Sequence, residues 1–169
     1  MSDTINENRA NRFIDFMGCL HLTGDYYGQL FVVQPWQRNL LRNVYGTVKD
    51  GKRQYKTAYL EAPKKTGKTA MIAGLALAHL DNDPPGGRIY CCAAEKEQAG
   101  LVYTAACEMI KQEPELQEAF RVVDSKKQIF NRKTGSFIKV LSAEAYSKHG
   151  VNPTVVIFDE NSSPMLAIA

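Results

Sequence analysis

Apolar and polar positions along the chain switch between a helical period and short continuous runs, which gives an alternation of element types. Residues 8–20 place Phe13, Phe16, Met17 and Leu20 at helical spacing and predict an amphipathic helix. A Gly- and Tyr-rich stretch, 24–28, reads as a loop. Pro35 suits a first helical position, and the helix it opens carries Trp36, Leu40, Leu41 and Val44 on one face before ending near Gly46. Asp50-Gly51 marks a turn, and a short strand, 57–61, comes next. The Ala- and Leu-rich residues 70–80 predict a buried helix, stopped by Asp83-Pro84-Pro85-Gly86-Gly87. An apolar strand over 88–94 then leads into a helix over about 95–112, and Pro114 restarts a short helix toward Phe120. Val122-Val123 reads as a brief strand, while 128–130 and 136–141 flank the turn Asn131-Arg132-Lys133-Thr134-Gly135 as a hairpin. Thr154-Val155-Val156-Ile157-Phe158 is a continuous apolar run, the mark of a strand covered on both faces. Residues 161–169 show no clear pattern. Strands alternating with helices predict an α/β fold with a mostly parallel sheet.

Composition narrows this little. A chain of 169 residues holds one domain with a sizeable core, and 44% hydrophobic with 23% charged residues is ordinary for a globular protein. A net charge of +3 permits contact with nucleic acid without predicting it. Cys19, Cys91, Cys92 and Cys107 include no CxxC pair, so they read as small buried hydrophobes in a reducing cytosol. The polar start, Met1 to Asn11, lacks the form of a signal peptide, and no apolar run approaches the roughly 20 residues of a membrane helix. The expectation is a soluble, cytoplasmic protein. Lys126-Lys127 with Arg132-Lys133 reads either as a solvated hairpin tip or as a face for DNA phosphates.

Candidate chemistry changes the picture most at Ala62-Pro63-Lys64-Lys65-Thr66-Gly67-Lys68-Thr69. In a G-x-x-x-x-G-K-[ST] phosphate loop, backbone N–H groups wrap the phosphates and the partial positive charge of a following helix N-terminus faces the anion. The lysine reaches the β- and γ-phosphates and the hydroxyl residue ligates Mg²⁺. Gly67, Lys68 and Thr69 fill the demanding positions, with a strand before and an Ala-rich helix after. Ala62 replaces the first glycine, which is tolerable where φ is negative. The predicted ligand is therefore a nucleoside triphosphate, ATP with Mg²⁺. The apolar strand ending in Asp159-Glu160 supplies two carboxylates downstream, the first suited to the metal and the second to polarising a water.

Taken in order, these residues resemble the ATPase domain of tailed-phage terminase large subunits. The resemblance covers most of residues 13–160: Gln34-Pro35-Trp36-Gln37, the loop Ala62 to Thr69, Ala93-Ala94 with Gln98-Ala99, Leu141-Ser142-Ala143, His149-Gly150 and the Phe158-Asp159-Glu160 strand end. It implies a three-layer phosphate-loop NTPase core over 57–160, preceded by a helical, adenine-side segment over 1–56. It also implies ATP hydrolysis that drives DNA into a procapsid. By the same resemblance, Gln37 contacts the adenine base, and Ala62, Pro63, Lys65, Thr66, Gly67, Lys68 and Thr69 hold the phosphates. Thr69 and Asp159 hold Mg²⁺, Glu160 activates water, and Lys64 stands where related motors often carry an arginine that stabilises charge. A lysine keeps the charge without the bidentate fork. Implied partners are double-stranded DNA, the portal protein, the small terminase subunit and further copies in a ring, in the host cytoplasm. Departures begin after Glu160: residues 161–169 do not match the family's continuation, and no coupling strand or nuclease carboxylate cluster is recognisable. The expectation is a truncated or split ATPase domain, incomplete on its C-terminal side. Its alternatives are a non-catalytic nucleotide-binding remnant and a helicase-like ATPase.

Overall fold

Two sheets organise the chain in the computed structural model, which describes residues 4–63, 66–93, 96–142, 144, 150, 152–158 and 165–168, with the backbone alone for 96–99 and 165–168. The smaller sheet is antiparallel and joins β1 (Thr4–Ile5), β2 (Thr47–Lys49) and β3 (Lys52–Arg53) in that order. Its hairpin turn is Asp50-Gly51, with φ of 51° and 73°. Two successive left-handed residues match the right-handed twist of the flanking strands. The turn is legible in the sequence, whereas strands of two and three residues carry too little alternation to announce themselves.

Helix α1 (Glu7–Gly18) starts at Asn6, whose side chain accepts a hydrogen bond from Arg9 N at 3.0 Å. It buries Ala10, Phe13, Ile14 and Met17. Helix α2 (Pro35–Leu41) begins at the predicted proline, but its last turn is a wider π-type turn over Arg42–Gly46. The extra residue in that turn rotates the side chains beyond it relative to a regular helix. Leu41 and Tyr45 are both 1% exposed, while Trp36, expected on the same face, is 38% exposed.

Tyr45 is the hinge pin of this segment. Its ring stacks on Phe13 with centroids 4.0 Å apart, and its hydroxyl lies 2.8 Å from Nε2 of His79. Nδ1 of His79 lies 2.9 Å from Asp83 Oδ2. With the carboxylate accepting from Nδ1–H, Nε2 is left to accept from the tyrosine. Burial holds the Tyr45 phenol well above its usual pKa; Arg53 opposes that shift and Asp83 adds to it.

Helix α3 (Lys68–Asn82) is apolar on every side, and every residue from Met71 to Leu80 is buried. Such a helix needs cover all round. On one side Gly74 admits the side chains of Leu20 and Met17, and the opposite side faces the large sheet, where Ile89, Ile129, Ile138, Val155 and Ile157 join the same core. The helix ends at Asp83, and the predicted Pro-Pro-Gly-Gly breaker leads into the next strand.

The large sheet runs β4 (Thr57–Tyr59), β10 (Met165–Ile168), β9 (Val155–Phe158), β5 (Arg88–Ala93), β8 (Phe137–Ser142), β7 (Gln128–Asn131), β6 (Phe120–Val123). β9, β5 and β8 form its parallel centre, and helix α4 (Lys96–Gln112) connects β5 to the far half through α5 (Pro114–Ala119). The α/β class is as the sequence predicts. Strand β10 is a departure from that reading: Met-Leu-Ala-Ile pairs antiparallel with both β9 and β4, within a stretch that shows no clear pattern in the sequence. Two parallel strands with a gap between them leave two rows of backbone groups unpaired, and a four-residue apolar segment satisfies both.

Cys91, Cys92 and Cys107 are buried and behave as small apolar residues, whereas Cys19, expected to be buried with them, is exposed just past the end of α1. Burial pushes the Cys92 thiol up to about 11 and also raises Cys107. Replacing Tyr45 with Phe takes the hydroxyl away from the buried His79 Nε2. A loss of about 1–3 kcal/mol in unfolding free energy is expected in urea titration, with an unchanged m-value.

Candidate functional site

Strand β4 and helix α3 flank the predicted phosphate loop. Its Lys64 and Lys65 lie outside the described residues; Ala62, Pro63, Thr66, Gly67, Lys68 and Thr69 are described. Gly67 stands at the N-cap of α3 with φ 80° and ψ 20°. That left-handed conformation turns the chain from the loop into the helix, and it is glycine's to adopt without strain. Among the described residues no side chain caps the helix here, so the first-turn N–H groups that have no intrahelical acceptor are suited to a ligand or water. Among the described residues, Asp50 and Lys127 are the non-glycine positions with positive φ, and Ala62 is not one of them. The condition for tolerating alanine at the first loop position is met.

Two hydrogen bonds close the loop on itself. Thr66 Oγ1 donates to Pro63 O at 2.8 Å, and Lys68 Nζ donates to Ala62 O at 2.7 Å. The lysine is thereby aimed across the loop rather than into solvent. An incoming phosphate exchanges one carbonyl contact for a charge-assisted one between two ions, the stronger of the two. Thr69, half-buried in the first turn of α3, comes directly after it. An anion fits this cradle: helix-start amides, an ammonium group, and a hydroxyl one residue on.

Helix α2 packs beside this unit. Its Leu40 and Leu41, with Val44, share an apolar cavity of about 30 Å³ with Leu60, which precedes the loop, and with Met71 and Ile72 of α3. Gln37 is 3% exposed, and its Oε1 accepts from Gln34 N at 2.9 Å. The oxygen is occupied by the helix start, which leaves the carboxamide NH₂ as the group able to donate outward. Trp36 is half-exposed at the helix start rather than in the core.

Asp159 and Glu160 lie outside the described residues, as do Ala94, Ala143, His149 and the side chain of Gln98. The strands that lead to the two halves of the site are described. Met165 pairs with Phe158 on one side and with Tyr59 on the other, so β9 and β4 finish at one level. One intervening strand sets them roughly 10 Å apart. The chain thus leaves toward Asp159 and toward Ala62 from the same end of the sheet, the carboxyl end, where α/β sheets bind ligands. That convergence depends on β10, which sequence reasoning misses; its four-residue apolar run after Pro164 is the available signal.

Gly67→Ala is expected to lower unfolding free energy by about 1–2 kcal/mol, although a Cβ there meets open space, because the cost is backbone strain. Gly18→Ala, equally open but without a positive φ, should be neutral or slightly stabilising. Chemical denaturation of both variants compares the two.

Known proteins share this architecture. The family described as "Terminase large subunit, ATPase domain" matches residues 35–165. The chain is 33% identical over 156 residues to "Terminase, large subunit" of Enterobacteria phage HK97, a match that covers 90% of this chain and 30% of that protein. The crystal structure of the HK97 bacteriophage large terminase matches with a TM-score of 0.78 and 32% identity, over 90% of this chain and 31% of the other. The chain therefore spans less than a third of the length of these relatives. A family match over 35–165, carried on the same strand, phosphate loop and helix, establishes that the chain belongs to the terminase large subunit ATPase-domain family.

Proposed function

We propose that the chain binds ATP with Mg²⁺ at the β4–α3 loop and hydrolyses it to drive packaging of viral DNA. The observation that carries this reading is the left-handed Gly67 turn opening α3, with Lys68 Nζ held across the loop on Ala62 O, in a chain of this family.

In this reading Lys68 and the amides at the start of α3 hold the β- and γ-phosphates, with Ala62, Pro63, Lys65 and Thr66 completing the loop. Thr69 and Asp159 are the metal-binding residues, and bound Mg²⁺ neutralises charge on the phosphate oxygens. Glu160 orients and deprotonates the attacking water. Lys64 adds positive charge at the transferring phosphate as a point charge rather than a fork. The Gln37 NH₂ donates to an acceptor nitrogen of adenine. Double-stranded DNA, the portal protein, the small terminase subunit and further copies in a ring are the proposed partners, and host cytoplasm the proposed compartment. Among the described residues no helix is long and apolar enough to cross a membrane.

Nucleotide binding and turnover are separable. Lys68→Ala should weaken binding of Mg·ATP at least ten-fold in calorimetric titration while leaving the fold intact by circular dichroism. Glu160→Gln should bind Mg·ATP with parental affinity and lose at least 100-fold in steady-state phosphate release. Parental turnover in either variant contradicts the assigned roles. Tight binding with no turnover in the parent chain leaves a nucleotide-binding module and removes the motor.

A further inference from the structure

Registers across the far half of the large sheet bring four side chains into one row. Arg121 of β6 pairs with Phe130 of β7, Phe130 with Phe137 of β8, and Phe137 with Arg88 of β5. Residues opposite one another in a sheet project from the same face. The alternate positions Phe120, Ile129, Ile138 and Ile89 are buried in the core shared with the helices, so this row lies on the other face. Arg88 and Arg121 are exposed, and the two phenylalanines are half-buried. The Arg121 guanidinium sits 5.1 Å above the Phe130 ring centroid, and Phe130 and Phe137 lie 6.0 Å apart. A cation held over a ring is positioned without an acidic partner.

The charge on this face is one-sided. Among the described residues of β5 to β8 there is no carboxylate, and Lys139 occupies the next row of the same face. The turn after Phe130 adds exposed Arg132 and Lys133 at the same end of the sheet. Of the nearby acidic residues, Asp124 accepts from the Tyr103 hydroxyl and Asp83 is engaged by His79, while Glu118 lies on α5 before the strand begins. Lys126-Lys127 falls at the opposite end of β7, so the two basic pairs singled out in the sequence do not form one cluster.

We propose that the Arg121–Phe130–Phe137–Arg88 row is a contact surface for the phosphate backbone of duplex DNA. This rests on the reading that the chain works on DNA and names the residues that would touch it. Three strand spacings separate the two arginine backbones by roughly 14 Å. That is comparable to the roughly 12 Å width of a major groove, whose two borders are lines of phosphates. Arg121 covers one face of the Phe130 ring, and Phe137 packs at a tilt against Phe130 and edge-on against Tyr90, so the rings are engaged with their neighbours rather than laid open as a single-strand stacking platform. The row begins at the amino ends of β5 and β8, the end of the sheet opposite the phosphate loop, so it can engage DNA while the loop holds nucleotide.

Fluorescence anisotropy of the full chain with a labelled 30-base-pair duplex of arbitrary sequence, across a range of salt, tests this. Arg88→Ala/Arg121→Ala should bind about ten-fold more weakly, with a slope of log affinity on log salt shallower by about 2, each phosphate contact contributing about 0.9. Its Mg·ATP affinity should equal the parent's, Arg88→Lys/Arg121→Lys should recover most DNA binding, and Lys126→Ala/Lys127→Ala should bind as the parent does. Parental affinity in the alanine pair, an equal loss in Lys126→Ala/Lys127→Ala, or tighter binding of a single strand than of the duplex overturns the proposal and leaves the nucleotide reading standing. A parent chain that binds Mg·ATP but no duplex overturns the proposal together with the DNA role.

Discussion

Helix α3 is apolar around its whole circumference, and its burial is the constraint that organises the molecule. A helix of that kind is stable only when neighbouring elements cover it all round. Here α1 and the residues just after it supply Met17 and Leu20 against Gly74, while α4 packed alongside and the isoleucines and valines of the central strands supply the rest. Holding α3 also fixes its N-terminus, the place where the proposed phosphate loop would present its amides. Gly67 can then turn the chain in the left-handed conformation, and Lys68, the first helical residue, is carried back over Ala62 O.

The far end of α3 is held differently. Tyr45, His79 and Asp83 form a buried polar chain that ties the π-type turn after α2 to the last turns of α3. Polar groups in such a place are costly unless each has its partner, and a satisfied set favours one packing over others. The segment that carries α2 and the helix that follows the loop are therefore one packed unit, with residues of α2 and of the start of α3 lining one small apolar cavity. Nucleotide contacts proposed for Gln37 and Lys68 would act on the same body.

Much of this is readable from the residues alone. The α3 run, the Pro-Pro-Gly-Gly stop, the β5 strand and the Gly67-Lys68-Thr69 loop are long or chemically distinctive, and each appears where the pattern puts it. The α1 and α4 helices obey the same logic. Features that depend on tertiary pairing do not show. β10 is four apolar residues that become a strand only because β4 and β9 leave a gap between them. β2 and β3 are too short to alternate. The π-type turn changes which residues share a face, so Trp36 comes out while Tyr45 goes in. Gln37 is legible as a helix-start residue, but the engagement of its oxygen by Gln34 N is not. The basic residues are divided by β7's length and direction, which composition does not encode.

Sheet direction and site belong together. β4 and β9 point the same way and stop at the same level because Met165 pairs with the last residue of each. The chain is thus led toward the loop and toward Asp159 from one end of the sheet by backbone ladders, before any side-chain contact is considered. If the amides opening α3 receive the phosphates, nucleotide must shield them from solvent. Hydrogen exchange at single-residue resolution, with and without Mg·ATPγS, tests this directly. Protection should rise at Gly67 to Ala70 and leave the middle of α3, already buried, unchanged. Unaltered exchange at Gly67 to Ala70 under saturating nucleotide would contradict that role for the helix start.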